Sequence, residues 1–269
     1  KIYFITQNGK TSSMGTTFNG DGRFVVCDAH TMKRLVARDM PFYANIDTST
    51  GATQSSKSTL CWPQHIVVVS PEKAYIQYST ADNESHSGIR IVDLQTNIIR
   101  TSDIPGTFGV FTKTGATKAR MIFSRGKVFA GRGNSVIVLD PATDAVIKTV
   151  TYENRQVKDL AKGYDGKIYA IFTGEFTGNS GMTGAASFTK PAMIVALDAN
   201  GEVVSETNLP EQIELRTGTA SPTVQMCASF TQPHLYFIGK QDFSAYEAMR
   251  YNYETGKVNW DYITADLDA

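Results

Sequence analysis

Five times along the 269 residues, a short run of alternating apolar residues ends in Asp or Asn, crosses two to four turn residues and re-enters a second run. The stretches are FVVCDAHTMKRLV (24–36), IRIVDLQTNII (89–99), VIVLDPATDAVIKTV (136–150), IVALDANGEVV (194–204) and MRYNYETGKV (249–258). Alternation of period two marks half-buried strands, and turn chemistry of the D-x-x-T-G kind marks a tight hairpin. The acid recurs at one place in the unit, as Asp28, Asp93, Asp140 and Asp198. A catalytic acid is not needed in every unit, whereas a turn is, and Asp side chains bond nearby backbone amides to hold one. Asp140 and Asp144 are thus expected to be scaffold rather than a metal or catalytic pair.

A second element lies upstream of each hairpin: KIYFIT at 1, KAYIQY at 73, GKVFAG at 126, GKIYAI at 166 and HLYFIG at 234. Four of these follow a further run, HIVVVS at 65, ARMIFS at 119, VKDLAK at 157 and VQMCAS at 224, across short connections. Each module therefore reads as four strands, a to d, in meander order. Helical periodicity is nearly absent. Repeated four-stranded meanders predict an all-β chain folded as a β-propeller of antiparallel blades. A β-sandwich would not repeat the same hairpin five times. The modules run approximately over 1–42, 64–105, 118–151, 156–210 and 223–263, within one propeller domain spanning 1–269. The first lacks strand a, and the tail 264–269 is placed to complete that blade. Either the ring has five blades, or these five are part of a seven-bladed ring.

Composition narrows the partners. Lys plus Arg and Asp plus Glu both total 26, so the formal charge is zero. A nucleic-acid footprint is therefore not expected. Apolar residues at 41% and charged residues at 19% suit a folded soluble protein. No stretch approaches the ~18 apolar residues of a membrane span. Cys27, Cys61 and Cys227 lack CxxC spacing; a buried free thiol is the better reading of each, with one bridge among them as the alternative. The chain starts at Lys1 without an initiator Met, as a processed or trimmed chain would.

The strings GKVFAGRGNSVIVLDPATDAVIKTV and DGKIYAIFTG…AMIVALDANGEVV resemble YVTN-type propeller repeats. The whole chain resembles secreted or lipid-anchored propellers of gut Bacteroidetes, a group that includes surface cobalamin-binding lipoproteins. The resemblance implies an extracytoplasmic protein, at the cell surface or in the periplasm, that captures a small nutrient such as cobalamin. A protein–protein platform beside an outer-membrane transporter and a glycan-active hydrolase are the alternatives. The expected partners are a small-molecule ligand or that transport partner, with the chain itself a monomer.

Loop lengths locate the site. The a–b and c–d turns are tight, while d–a connections at 43–63, 105–118 and 210–222 and b–c connections at 79–87, 173–190 and 240–247 are long. Loops of that length are uncommon unless functional or disordered. They carry Tyr43, Trp62, Phe108, Phe111, Phe176, Phe188, Phe243 and Tyr246 among Gly, Ser and Thr, a composition that suits recognition. Strand a lines the channel, and its first residues bring Gln64, His65, Lys118, Arg120, Gln156, Lys158, Thr223 and Gln225 to that end. A polar, rather cationic mouth suits an anionic or amide-rich ligand. The candidate ligand-binding residues are Trp62, Gln64, His65, Phe108, Arg120, Lys158, Phe176, Phe188 and Gln225.

Catalytic patterns are weak. A glycosidase needs two converging carboxylates, and Asp159 is the one acid in the four visible inner strands. No GxSxG elbow, HExxH or EF-hand loop occurs, and GNSGMTGAAS at 178–187 lacks the GK[ST] of a phosphate loop. No catalytic residue, metal or cofactor is assigned.

Overall fold

The computed structural model describes the chain except residues 7–8, 13–14, 19–21, 41–60, 81–85, 111–119, 177–187, 211–212, 215–225, 242–245 and 260–269. It is all-β, with no helix among the described residues and so none long and apolar enough to cross a membrane. Two compact units form, Lys1–Ala116 and Thr117–Ala269. Each is made of antiparallel meander sheets packed face to face, the blade arrangement of a β-propeller.

The first unit holds modules one and two. Among the described residues, module one is a three-stranded sheet of Ile2–Thr6, Arg23–Cys27 and Arg34–Asp39, and the tail 264–269, placed by the sequence to complete this blade, lies outside the described residues. Module two is Cys61–Ser70, Lys73–Thr80, His86–Asp93 and Ile98–Asp103, with Gly109–Val110 added beside the start of strand c. Phe24 and Val26 of module one share a core with Ala74, Ile76, Tyr78 and Val92 of module two. At the seam Gly22 approaches Pro63 so closely that a Cβ would come within 2.2 Å of the proline Cδ, so only glycine fits there.

Modules three to five form the second unit. Module three is Met121–Ser124, Lys127–Arg132, Ser135–Asp140 and Ala145–Thr151. Module four is Val157–Lys162, Ile168–Phe172, Met193–Leu197 and Val203–Asn208. Module five is Met226–Ala228, His234–Gln241, Tyr246–Asn252 and Lys257–Asn259, with Ile213–Glu214 paired to the far end of strand b. The middle strands of module four, IYAIF and MIVAL, are buried at every position. They are covered on both faces, so alternation gives way to continuous apolar runs. Ile168, Ala170 and Phe172 pack on Phe129, Val136 and Val138 of module three, while Tyr169 and Ile171 pack on Leu235, Phe237 and Met249 of module five. Each fully buried aliphatic or Phe side chain contributes roughly 1.5–3 kcal/mol relative to exposure. Strand d of module four, VVSETN, is mostly exposed and correspondingly polar.

The recurrent acid is a turn device in all four modules that carry it. Asp28 accepts hydrogen bonds from the amides of His30 and Thr31 at 3.0 and 2.8 Å. Asp93 accepts from Gln95 and Thr96 at 2.8 and 2.9 Å, and Asp198 from Asn200 and Glu202 at 2.8 and 2.9 Å. Asp140 accepts from Ala142 at 2.9 Å, and Asn252 does the same for Glu254 and Thr255 with a neutral amide. These bonds pull Asp28, Asp93 and Asp198 below the usual carboxylate range, the Thr31, Thr96 and Glu202 amides being the respective largest causes. Each turn then contains one residue of positive φ: Met32, Asn97, Asp144, Gly201 and Gly256. The second carboxylate of DPATD is thus the left-handed residue of its turn.

Several expectations need correction. Strand a of module two begins at Cys61 and takes in Trp62, so the preceding connection ends earlier than 63. Tyr246 starts strand c of module five and is not a loop residue. The b–c connection of module one, not singled out from the sequence, carries a hairpin of Gly9–Ser12 and Gly15–Phe18. Cys27 is buried and free, but Cys227 is exposed, because it alternates with Met226, which takes the core side of the strand.

Candidate functional site

Strand a of module four starts with an irregularity. Its register against strand b shifts between Val157 and Asp159, leaving Lys158 as the extra residue. The same shift occurs in module two between Pro63 and His65, leaving Gln64 as the extra residue. A bulge re-aims the side chain it carries, and bulges gather beside functional sites. Two of the candidate residues therefore occupy the same irregular position in separate modules. Gln64 is half-buried, and its Nε2 donates to Ser79 Oγ at 2.8 Å. Lys158 is also half-buried.

Beside the module-four bulge, Asp159 is almost fully buried and accepts five hydrogen bonds. Arg120 supplies three of them, from its backbone amide at 3.2 Å, Nε at 3.1 Å and Nη2 at 2.9 Å. The amides of Leu160 and Met226 complete the set at 2.9 and 2.7 Å. One carboxylate therefore ties the first strands of modules three, four and five together. The hydrogen bonds to Asp159 push the Arg120 guanidinium still further up, so its charge is permanent. Its side chain stays 39% exposed, so this cation is fixed in place yet open to solvent. Both carboxylate oxygens of Asp159 are thus engaged as acceptors within the scaffold.

The long b–c connection of module four is anchored at its neck. Arg155, buried, donates from Nη1 to the carbonyls of Thr173 and Pro191, each at 2.7 Å. The Gln156 amide donates to Thr173 Oγ1 at 2.9 Å. Above this neck Glu175–Phe176 and Phe188–Lys190 pair as a hairpin, with Phe176 opposite Phe188 and Lys190 Nζ 2.7 Å from Glu175. The two phenylalanines that the sequence singles out thus share one hairpin at the end of the blade where strand a begins.

The remaining candidates lie as follows. Trp62 pairs with Ser79 and His65 with Gln77 in the first unit, His65 being half-buried. Phe108 is half-buried and follows Thr107, a buried residue whose hydroxyl donates to the Ile104 carbonyl at 2.7 Å. Gln225, with Lys118 and Thr223, lies outside the described residues. Trp62, Gln64, His65 and Phe108 belong to the first unit, and Arg120, Lys158, Phe176 and Phe188 to the second. Arg155 was not a candidate; its signal was an Arg directly before a strand a and a long connection, which is weak. Of the described histidines, His234 sits beside a turn, its Nδ1 2.9 Å from Gln232 Oε1. No group of three or more His, Cys, Asp or Glu able to hold a metal occurs among the described residues.

These features define a class: an all-β protein of propeller-type blades, with bulged inner strands and an anchored hairpin at one end. The chain belongs to the DUF5074 family, a domain of unknown function, which matches residues 1–265. No curated protein matches it. Among solved structures it is similar to Kuenenia stuttgartiensis hydrazine synthase, with 10% identity and a TM-score of 0.46 over 74% of this chain. It spans 65% of that chain, just under two thirds of its length. It is also similar to a protein of unknown function from Bacteroides caccae, with 12% identity and a TM-score of 0.47 over 91% of this chain and 75% of that one.

Proposed function

We propose that this protein is a ligand-binding β-propeller that captures a small nutrient outside the cytoplasm, at the cell surface or in the periplasm. Its binding residues lie at the loop-bearing end of the blades. The observation that carries the reading is the anchored module-four hairpin, whose neck is tied by buried Arg155 and whose strands carry Phe176 and Phe188. A long connection fixed at its base loses little entropy on binding, which favours recognition. Lys158 and the exposed part of Arg120 supply positive charge near the start of the same blades, suited to an anionic or amide-rich ligand. Cobalamin, which is rich in amides and carries a phosphate, is the first ligand to test. The choice and the location follow the likeness of the repeats to YVTN-type propellers of gut Bacteroidetes.

Titration calorimetry with cyanocobalamin tests the reading. The wild type is expected to bind at one site, and Phe176→Ala/Phe188→Ala to bind about tenfold more weakly, a loss of roughly 1.4 kcal/mol. Absence of binding by the wild type would remove cobalamin as the ligand. Unchanged affinity in the double variant would remove the hairpin from the site.

A further inference from the structure

The first unit contains a cleft of about 360 Å³ that none of the foregoing uses. That volume lies within the range of about 300–1,000 Å³ common for small-molecule sites. Arg38, Asp39 and Met40, at the end of strand d of module one, form one wall. Arg90 on strand c of module two and Asn97, Ile98 and Ile99 at its c–d turn form the other.

Charge in the cleft is unbalanced by one. Arg23 Nε lies 2.6 Å from Asp39 Oδ1 and balances that acid. Arg90 is buried, stacks 4.4 Å from the centre of the Tyr78 ring and lies 3.6 Å from Asp103 Oδ1. Arg38 makes no ion pair among the described residues, which leaves one net positive charge on the wall. A carboxylate is the natural complement to an arginine so placed.

Asn97 adds the second element. Its Oδ1 is buried with no hydrogen-bond partner among the described residues, an arrangement that wants a donor. Its backbone, at φ 57°, is explained by the turn, since Asn tolerates the left-handed region. The turn does not explain the buried oxygen. Met40, Ile98 and Ile99 supply apolar surface, and Ile98 is 58% exposed where it would meet a ligand.

We propose that this cleft binds the zwitterion of an apolar α-amino acid. The carboxylate is drawn to Arg38, with Arg90 behind it. The ammonium group donates to Asn97 Oδ1. The apolar side chain covers Met40 and the two isoleucines. This site is in the other unit from the module-four hairpin and does not rest on the function proposed above.

Calorimetry with L-leucine, 4-methylpentanoate and isoamylamine decides the matter, since the last two each lack one charged group. L-leucine is expected to bind, and each analogue to bind at least about tenfold more weakly. Arg38→Ala and Asn97→Gly are expected to weaken leucine binding by about tenfold each. Glycine preserves the positive-φ turn, so Asn97→Gly remains folded, as a thermal melt will verify. Phe176→Ala/Phe188→Ala should leave leucine binding unchanged. No heat with millimolar L-leucine overturns the proposal. So does an analogue that binds as tightly as leucine, or unchanged affinity in both cleft variants.

Discussion

Arg120 and Asp159 form a two-pronged ion pair, Nε to Oδ1 at 3.1 Å and Nη2 to Oδ2 at 2.9 Å, with the carboxylate 2% exposed. The pair is asymmetric. Arg120 can return to water, whereas Asp159 also holds the amides of Arg120, Leu160 and Met226. Removing the acid leaves three amides and a guanidinium without their acceptor. Asp159→Ala is expected to lose about 3–5 kcal/mol of stability. Arg120→Met leaves the backbone bonds in place and is expected to lose only about 1–3 kcal/mol. Urea titrations of both variants check the order, and an equal loss would contradict it.

The positive-φ residues of the c–d turns permit a test in both directions. Met32 occupies a left-handed position with φ 57° and is 63% exposed, so its side chain adds little packing. Met32→Gly is expected to stabilise the fold by about 1 kcal/mol. At the matching place in module five, Gly256 has φ 70° with open space around it. Gly256→Ala is therefore opposed by backbone strain alone and is expected to destabilise by about 1–2 kcal/mol. Thermal melts that move both variants the same way would refute the equivalence of the two turns.

These turns also explain what could be read from the chain. The turn-holding side chain and the left-handed residue lie three or four positions apart, so their chemistry is visible in the local string. Strands b and c of module four were legible as well, because burial on two faces turns IYAIF and MIVAL wholly apolar. The bulges at Gln64 and Lys158 were not. A bulge depends on register against a partner strand, and neither residue type signals one. Arg120 and Asp159 meet across 39 positions, so only their separate presence in inner strands was visible. The Gly9–Ser12 hairpin was hidden because GKTS and GTTF do not alternate.

The turn acids predict a pH response. Asp28, Asp93 and Asp198 all lie below the ordinary aspartate value of 3.8 in the folded chain. A depressed carboxylate contributes stability above its unfolded value, and loses that contribution as pH falls through its folded value. Urea midpoints should therefore be level with respect to these groups at neutral pH and fall below about pH 4. The triple variant Asp28→Asn/Asp93→Asn/Asp198→Asn keeps an acceptor at each turn, as Asn252 does in module five. Its midpoint should fall less steeply in acid. An identical slope would show that other carboxylates govern acid unfolding.

Arg155 separates anchoring of the hairpin from stability of the blade. Its guanidinium spans the two carbonyls at the neck, Thr173 and Pro191, while the sheet beneath is paired independently from Phe172 to Met193. Arg155→Met keeps much of the stem and removes both bonds, leaving two carbonyls that water must reach. The expected loss of global stability is about 1–3 kcal/mol. Amide exchange at Glu175, Thr189 and Lys190 should accelerate more than that loss accounts for, because the hairpin then opens without the blade. Exchange at Ala170 and Val195, in the middle of the sheet, should follow global stability alone. If both sets accelerate together, Arg155 supports the blade core and the hairpin has no separate anchor. If only the hairpin responds, cyanocobalamin affinity in the same variant shows whether binding needs that hairpin held still.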